Sequence, residues 1–281
     1  MSIMDMSIYK VGDSIVQLYN GDCLEVMDRL ISEGIKVDLT VTSPPYDDLR
    51  TYDNTLNWNF DIFKQIANKL YQITADGGVV VWVVGDKTKK GNESGTSFKQ
   101  ALYFKEIGFN LHDTMIYAKA NPFPLTHRRY EQQFEYMFVL SKGKPKTFNP
   151  IMKENKHKGK FKTGTHRTDG NELKPMHKLE RVSDKSIDNN IWYYNIGKNQ
   201  STKDAVAHKH PAIFPEQLVN DHIISWCNPG DIVFDPLMGS GTTGVVSHNL
   251  DRNFIGIEKV EKYFNIAKER INNILGGENN G

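Results

Sequence analysis

Short apolar runs alternate along this chain with segments in which apolar residues recur every three or four positions. SIVQLY at 14–19, VDLTVT at 37–42 and VVVWVV at 79–84 read as strands, as do residues 111–117, 135–140, 231–235 and 253–258. Between them lie helical periods. Leu24, Met27, Leu30 and Ile31 share one face of a helix over 24–31, and Phe60, Phe63, Ile66, Leu70 and Ile73 share one over 58–73. Further helices are predicted over 98–107, 215–226 with Pro215 in the first turn, 242–250 and 261–275. VVVWVV has no polar face, so both its sides must be covered, as in a parallel sheet. The glycine pair Gly77-Gly78 reads as the end of the preceding unit. The alternation predicts an α/β fold, a mostly parallel sheet with helices on both faces. No internal repeat is visible, and the tail GGENNG is expected to be disordered.

At 281 residues the chain can form one large α/β domain or a domain carrying an insertion. Its 38% hydrophobic and 25% charged residues are ordinary for a soluble globular protein. No apolar stretch approaches the ~18–20 residues of a membrane helix. The first residues show neither a basic region nor an apolar core of an export signal. Cys23 and Cys227 are far apart in apolar contexts, which predicts buried thiols, with neither a disulfide nor a metal site. Charge is unevenly spread. The net value is +1, yet residues 142–209 hold 16 Lys/Arg against 7 Asp/Glu, a local +9 that leaves −8 elsewhere. KENKHKGKFKTGTHRTDG within that stretch has few large apolar residues, so it is either a solvated loop or an insertion facing a polyanion.

Two places carry chemistry. TSPPY at 42–46 ends a buried strand with two prolines, which fix the backbone, followed by an aromatic. VFDPLMGSGTTGVV at 233–246 is a strand, a tight turn and a helix start. Gly239 and Gly241 permit a sharp bend and a close ligand, and Thr242 and Thr243 are candidate caps. Asp235 could accept a hydrogen bond from a ligand amine or hydroxyl. FIGIE follows, ending at Glu258 about 20 residues after the turn, where nucleoside-binding α/β folds put a carboxylate on ribose hydroxyls. No Gly-Lys-Ser/Thr follows the turn, so an adenosine-type ligand without a triphosphate fits better than a nucleotide triphosphate.

TSPPY, FDPLMGSGTTG and FIGIE together resemble the motifs of S-adenosylmethionine-dependent amino-group DNA methyltransferases. The S-P-P-Y box precedes the glycine turn, the circularly permuted order of the β group. HKHPAIFPEQLVNDHIISW resembles that family's segment at the methionine end of the cofactor, and NGDCLEVM its early Asp motif near the adenine. The resemblance implies a Rossmann-like, mostly parallel seven-stranded methyltransferase fold, with a catalytic half at 1–149, a target-recognition insertion at 150–206 and a cofactor-binding half at 207–281. It implies S-adenosyl-L-methionine held by Asp22, Thr42, Ser43, His210, Pro211, Phe214, Asp235, Pro236, Gly239, Ser240, Gly241, Thr242, Thr243 and Glu258. The substrate implied is double-stranded DNA, touched by Arg128, Arg129, Lys158, Lys160 and Arg167. Arg128 and Arg129 could equally meet a structural carboxylate, and Asp22 could equally cap a helix. A bacterial, archaeal or phage-encoded protein of the cytoplasm is implied; a homodimer and a cognate restriction endonuclease stay open.

The resemblance also gives TSPPY a task. The exocyclic amine of a base is a poor nucleophile because its lone pair is delocalised into the ring. The Ser43 hydroxyl and the Pro44 carbonyl can accept its two N–H groups, Pro45 fixes that carbonyl, and Tyr46 can stack on an extruded base. Ser43 stands where many relatives have Asp, which favours cytosine N4 over adenine N6. Met238 is a second departure, expected to alter packing at the cofactor. Two other readings compete. Glutamine methyltransferases carry N-P-P-Y, but with the glycine turn first, and an idle DNA-binding module would not need Ser43, Tyr46, Asp235 and Glu258 intact.

Overall fold

The computed structural model describes residues 5–11, 14–45, 58–122, 129–161, 164–175, 181–211 and 213–277. Strands β1 (Asp5–Val11), β2 (Ser14–Asn20), β3 (Val37–Thr42) and β4 (Thr74–Val84) come first, then a small hairpin of β5 (Thr88–Lys89) and β6 (Asn92–Glu93). β7 (Asn110–Lys119) and β8 (Phe134–Ser141) follow, and β13 (Ile191–Tyr194), β14 (Ile232–Asp235) and β15 (Asn253–Glu258) complete the main sheet. Its order is β1-β2-β15-β14-β3-β4-β8-β7-β13. From β2 to β4 all neighbours are parallel, and β8 runs antiparallel between β4 and β7. The seven inner strands are the seven that the apolar runs predict. Two edge strands raise the number to nine: β1 folds back on β2 as a hairpin, and β13 adds in parallel to β7.

The period-2 alternation of β4 sorts the core into two layers. Val79, Val81 and Val83 face one side; Val80, Trp82 and Val84 face the other. The first layer is covered by α4 (Glu216–Trp226) through Leu218, Val219 and Ile223, by α5 (Thr242–Asn249) through Val245 and Val246, and by α6 (Glu261–Gly277) through Phe264, Ala267 and Ile271. The second is covered by α1 (Cys23–Ser32), α2 (Phe60–Ile73) and α3 (Thr96–Glu106), which contribute Met27, Phe63, Leu70 and Phe104 among others. α2 starts at Phe60, two residues later than its pattern suggests, because the Asn59 side chain caps it by accepting from the N–H groups of Asp61 and Ile62. Pro215 stands at the cap of α4, just ahead of its first turn. Gly77-Gly78 does not end a unit. The pair lies inside β4, whose register against β3 shifts between Val37 and Leu39.

Residues Pro150–Asn189 form a compact unit of their own. It contains two antiparallel pairs of three-residue strands, β9 (Met152–Glu154) with β12 (Lys185–Ile187) and, between them in the chain, β10 (Thr165–Arg167) with β11 (Leu173–Pro175). The Arg181 guanidinium lies 4.9 Å from the Phe161 ring centre. The 150–206 stretch is thus divided, since Ile191–Tyr194 is a strand of the main sheet. No helix among the described residues is long and apolar enough to cross a membrane.

Candidate active site

Parallel strands deliver their carboxyl ends to one edge of a sheet, and open α/β sheets bind ligands there. That edge gathers Asp22 after β2, Glu258 ending β15, Asp235 ending β14 and Ser43 after β3. Because β8 is antiparallel, its start brings Glu135 to the same edge, beside Lys119 at the end of β7. A cavity of about 570 Å³ opens along it, lined by all six of these residues. Strand order gives the cavity two halves. β2, β15 and β14 bring Asp22, Glu258 and Asp235 to one; β3, β8 and β7 bring Ser43, Glu135 and Lys119 to the other.

The glycine turn is braced by the two carboxylates flanking it. Asp235 is buried and accepts from Thr42 Oγ1 (2.7 Å), from Thr243 Oγ1 (2.8 Å) and from Leu237 N–H (3.1 Å). Burial pushes its pKa up to about 6, with the two threonine hydroxyls working in the opposite direction. Glu258 accepts from Gly239 N–H (3.0 Å) and Val260 N–H (2.7 Å), and burial pushes its pKa up to about 7. An ionised carboxylate offers about four acceptor sites, so two internal bonds leave Glu258 capacity for ligand hydroxyls. Asp235 spends three on the protein itself, bracing the turn, and keeps about one for a ligand in the cavity it lines.

Both glycines of the turn have positive φ, and their reasons differ. A Cβ on Gly239 (φ +52°) would lie 3.1 Å from the His210 ring; a Cβ on Gly241 (φ +77°) would lie 2.8 Å from Ala267 Cβ. Gly241 therefore serves the packing of α5 on α6 and does not line the cavity. Neither threonine caps α5, whose cap is Gly241. Thr243 braces Asp235, and Thr242 Oγ1 accepts from Arg270 Nη1 at 3.0 Å. Met238 is buried and lies against Gly256, which has no side chain to oppose its sulfur.

The remaining wall comes from the segment 201–216. His210, Pro211 and Phe214 line the cavity, as do Pro236 and Ser240 of the turn. The His210 ring meets Tyr263 edge to face at 4.3 Å. At the other half Ser43 and Pro45 face the cavity, Pro44 is buried between them, and Thr42 lies beneath in its bond to Asp235. Asp22 caps α1 through Leu24 N–H (2.9 Å), and it also lines the cavity, paired with Lys259 at 3.0 Å. Tyr46 and Arg128 lie outside the described residues. Arg129 meets a structural carboxylate, pairing with Glu93 at 2.8 Å and bonding Gly91 O. In the separate unit Lys158 and Lys160 are exposed, and Arg167 bonds Asn171 Oδ1 at 2.8 Å. Among the described residues no three His, Cys, Asp or Glu side chains form a metal-holding group. Burial pushes the Cys23 and Cys227 thiols up to about 12, which leaves them poor nucleophiles at neutral pH.

Sequence reading missed several cavity residues: Cys23, Lys259, Tyr263, Trp58 and the ion pair of Lys119 with Glu135 at 2.8 Å. Lys119 and Glu135 flank predicted strands, so the edge they share follows once β8 is known to be antiparallel. Tyr263 carries no comparable signal. The cavity is of ordinary ligand size. It offers carboxylates for ribose and adenine donors, apolar surface from Ile257 and Phe214, and a glycine turn without a phosphate-binding lysine. That donor set fits a nucleoside-bearing sulfonium.

A seven-strand core with one reversed strand, and a nucleoside-type cavity at the strand ends, define an α/β enzyme of the methyltransferase kind. A family profile described as "DNA methylase" matches residues 37–269, and the chain belongs to that family, the amino-group DNA methyltransferases that use S-adenosylmethionine. The orphan methyltransferase M.BamHII of Bacillus amyloliquefaciens is 53% identical over 245 residues, 85% of this chain and 90% of that protein. The crystal structure of M1.HpyAVI is similar over 92% of this chain and 98% of its own, with a TM-score of 0.61 and 27% identity. The cytosine-N4-specific PvuII DNA methyltransferase shares the fold, with a TM-score of 0.66 and 21% identity over 91% of this chain and 86% of its own.

Proposed function

We propose that this chain methylates the exocyclic N4 of a cytosine turned out of double-stranded DNA. The observation carrying this reading is Ser43, a neutral acceptor rather than an aspartate, at the cavity wall where the sheet passes from its cofactor half to its base half. Glu258 would take the ribose hydroxyls, Asp22 the adenine amine, and His210, Pro211 and Phe214 the methionine end. When bound, S-adenosylmethionine supplies a methyl group on a positively charged sulfur, an electrophile with a good leaving group. The protein's own part is to ready the amine. Ser43 Oγ and the Pro44 carbonyl accept its N–H groups, which draws the nitrogen lone pair out of the ring, and Pro45 keeps that carbonyl in place. Tyr46 stacks on the extruded ring. The amine so readied would be the nucleophile toward that methyl group, the thioether of the spent cofactor would be the leaving group, and the surplus proton would pass to water.

The experiment is methyl transfer from labelled S-adenosylmethionine to double-stranded DNA, followed by nucleoside analysis. N4-methylcytosine is expected, and N6-methyladenine in its place would refute the base assignment. Ser43→Ala should lower turnover roughly 10²-fold or more with cofactor binding intact, as for loss of a group acting in the transition state. Unchanged turnover removes Ser43 from the chemistry.

A further inference from the structure

Arg270, on α6, is not part of the cavity wall, yet it joins two parts of that wall. Its side chain is 0% exposed. Nε donates to Asp204 Oδ2 at 2.7 Å and Nη2 to Glu216 Oε1 at 2.9 Å. Nη1 donates to Ser240 O at 2.8 Å and to Thr242 Oγ1 at 3.0 Å. One planar fork thus meets four acceptors within 3.0 Å, and Ser240 Oγ at 3.4 Å, on three pieces of chain. Ser240 and Thr242 belong to the glycine turn. Asp204 and Glu216 bracket the strap that carries His210, Pro211 and Phe214.

The two carboxylates also fold the strap itself. Asp204 Oδ1 accepts from Val206 N–H at 2.9 Å, and the Thr202 hydroxyl donates to Glu216 Oε1 at 2.6 Å while accepting from Asp204 N–H at 3.0 Å. Glu216 N–H returns to Ser201 O at 2.9 Å. Stability alone is a poor reason for such an arrangement. The guanidinium is buried while the Asp204 and Glu216 side chains are 32% and 33% exposed. A buried charge recovers its desolvation cost only with very good geometry, and well-packed apolar residues of similar volume often do as well. What apolar residues cannot do is hold three segments in fixed register. We propose that Arg270 is a positioning residue for methyl transfer: it sets the gap between strap and glycine turn, and hence the fit of the cavity to S-adenosylmethionine. The proposal rests on the cavity being the cofactor site.

The test uses the full chain in three single variants, Arg270→Lys, Asp204→Asn and, as a probe of the cavity itself, Glu258→Gln, together with the double variant of the first two. Cofactor binding is read by calorimetry, and methyl transfer to DNA with S-adenosylmethionine varied. Lysine keeps the charge but is a point donor, unable to span four acceptors. Arg270→Lys is expected to raise KM for the cofactor roughly tenfold with kcat changed far less, the signature of weakened binding geometry. Asp204→Asn leaves the arginine and its bonds to the turn and to Glu216 in place and weakens only the Asp204 end of the strap, so KM should rise by a smaller factor. The effects should not add in the double variant, since both act through one network. A purely structural role would lower the melting temperature and leave cofactor KM unmoved. If Arg270→Lys does not fold, the folded Asp204→Asn decides the matter alone. Weakened binding in Glu258→Gln with wild-type affinity in the other folded variants overturns the Arg270 proposal. Wild-type affinity in all three overturns the cavity reading as well.

Discussion

Glu258 is placed where a carboxylate is hard to ionise: it is buried, it ends a strand near the buried Asp235, and only backbone N–H groups support its charge. Its pKa is pushed up to about 7 from an ordinary 4.5. The folded chain without cofactor therefore keeps a proton that the unfolded chain has already released. Its stabilising effect is complete below about pH 4.5 and is lost as pH rises through 7. Ribose hydroxyls donate hydrogen bonds, and a carboxylate receives them best when ionised, so bound cofactor should draw the proton off. Cofactor affinity should then strengthen by roughly tenfold between pH 6 and pH 8, with proton release on binding near pH 6.5. Calorimetry in buffers of different ionisation enthalpy measures both. Proton uptake, or affinity as flat in the native chain as in Glu258→Gln, would contradict the role given to Glu258.

At the scale of elements, the packing of α5 on α6 is set by one missing side chain. Gly241→Ala should destabilise the chain by about 1–3 kcal/mol, from the left-handed backbone and from overpacking against Ala267. Adding Ala267→Gly removes the second cause only, so thermal melting should recover in part; no recovery would mean that Ala267 is not what the alanine meets. The elements differ in how plainly their sequences announce them. The seven inner strands and six helices are all expected from the sequence: α1 and α2 show an apolar helical period, and central strands such as β4 carry a continuous buried run. β1 escapes that logic: Met6 and Ile8 are exposed at 39% and 55%, so this part of its pattern points outward. β13 is only four residues long and lies in a basic, polar neighbourhood. The strands of the 150–189 unit are shorter still and almost wholly exposed, so no hydrophobic alternation exists to be read. The half of the cavity lined by Asp22, Asp235 and Glu258 was legible because its glycines, acids and threonines sit in contiguous motifs. Arg270, Tyr263 and the Lys119–Glu135 pair act through bonds between segments far apart in the chain, which no spacing records.

For the whole molecule, the near-neutral total hides a division of charge between a net acidic remainder and a basic stretch that includes the 150–189 unit. Phosphate contacts supply most sequence-independent affinity for DNA and make binding fall with salt. The unit is closed at its base, where Asp188 N–H bonds Ile151 O at 2.8 Å, so its two ends enter and leave side by side. Replacing residues 151–188 by a short glycine-serine link should therefore leave the main sheet and cofactor binding intact. The shortened chain should lose sequence-selective methylation of double-stranded DNA. Short of deletion, Lys158→Ala, Lys160→Ala and Arg167→Ala together should lower the slope of log affinity against log salt by up to about 0.9 for each phosphate that is no longer neutralised. Circular dichroism and cofactor calorimetry report whether the remaining fold survives, and binding to specific and scrambled duplexes at several salt concentrations separates phosphate neutralisation from base reading. If the triple variant keeps its salt slope, these three cations do not meet phosphates. If the shortened chain still methylates one sequence in preference to others, base reading belongs to the main unit, residues 1–149 and 190–281.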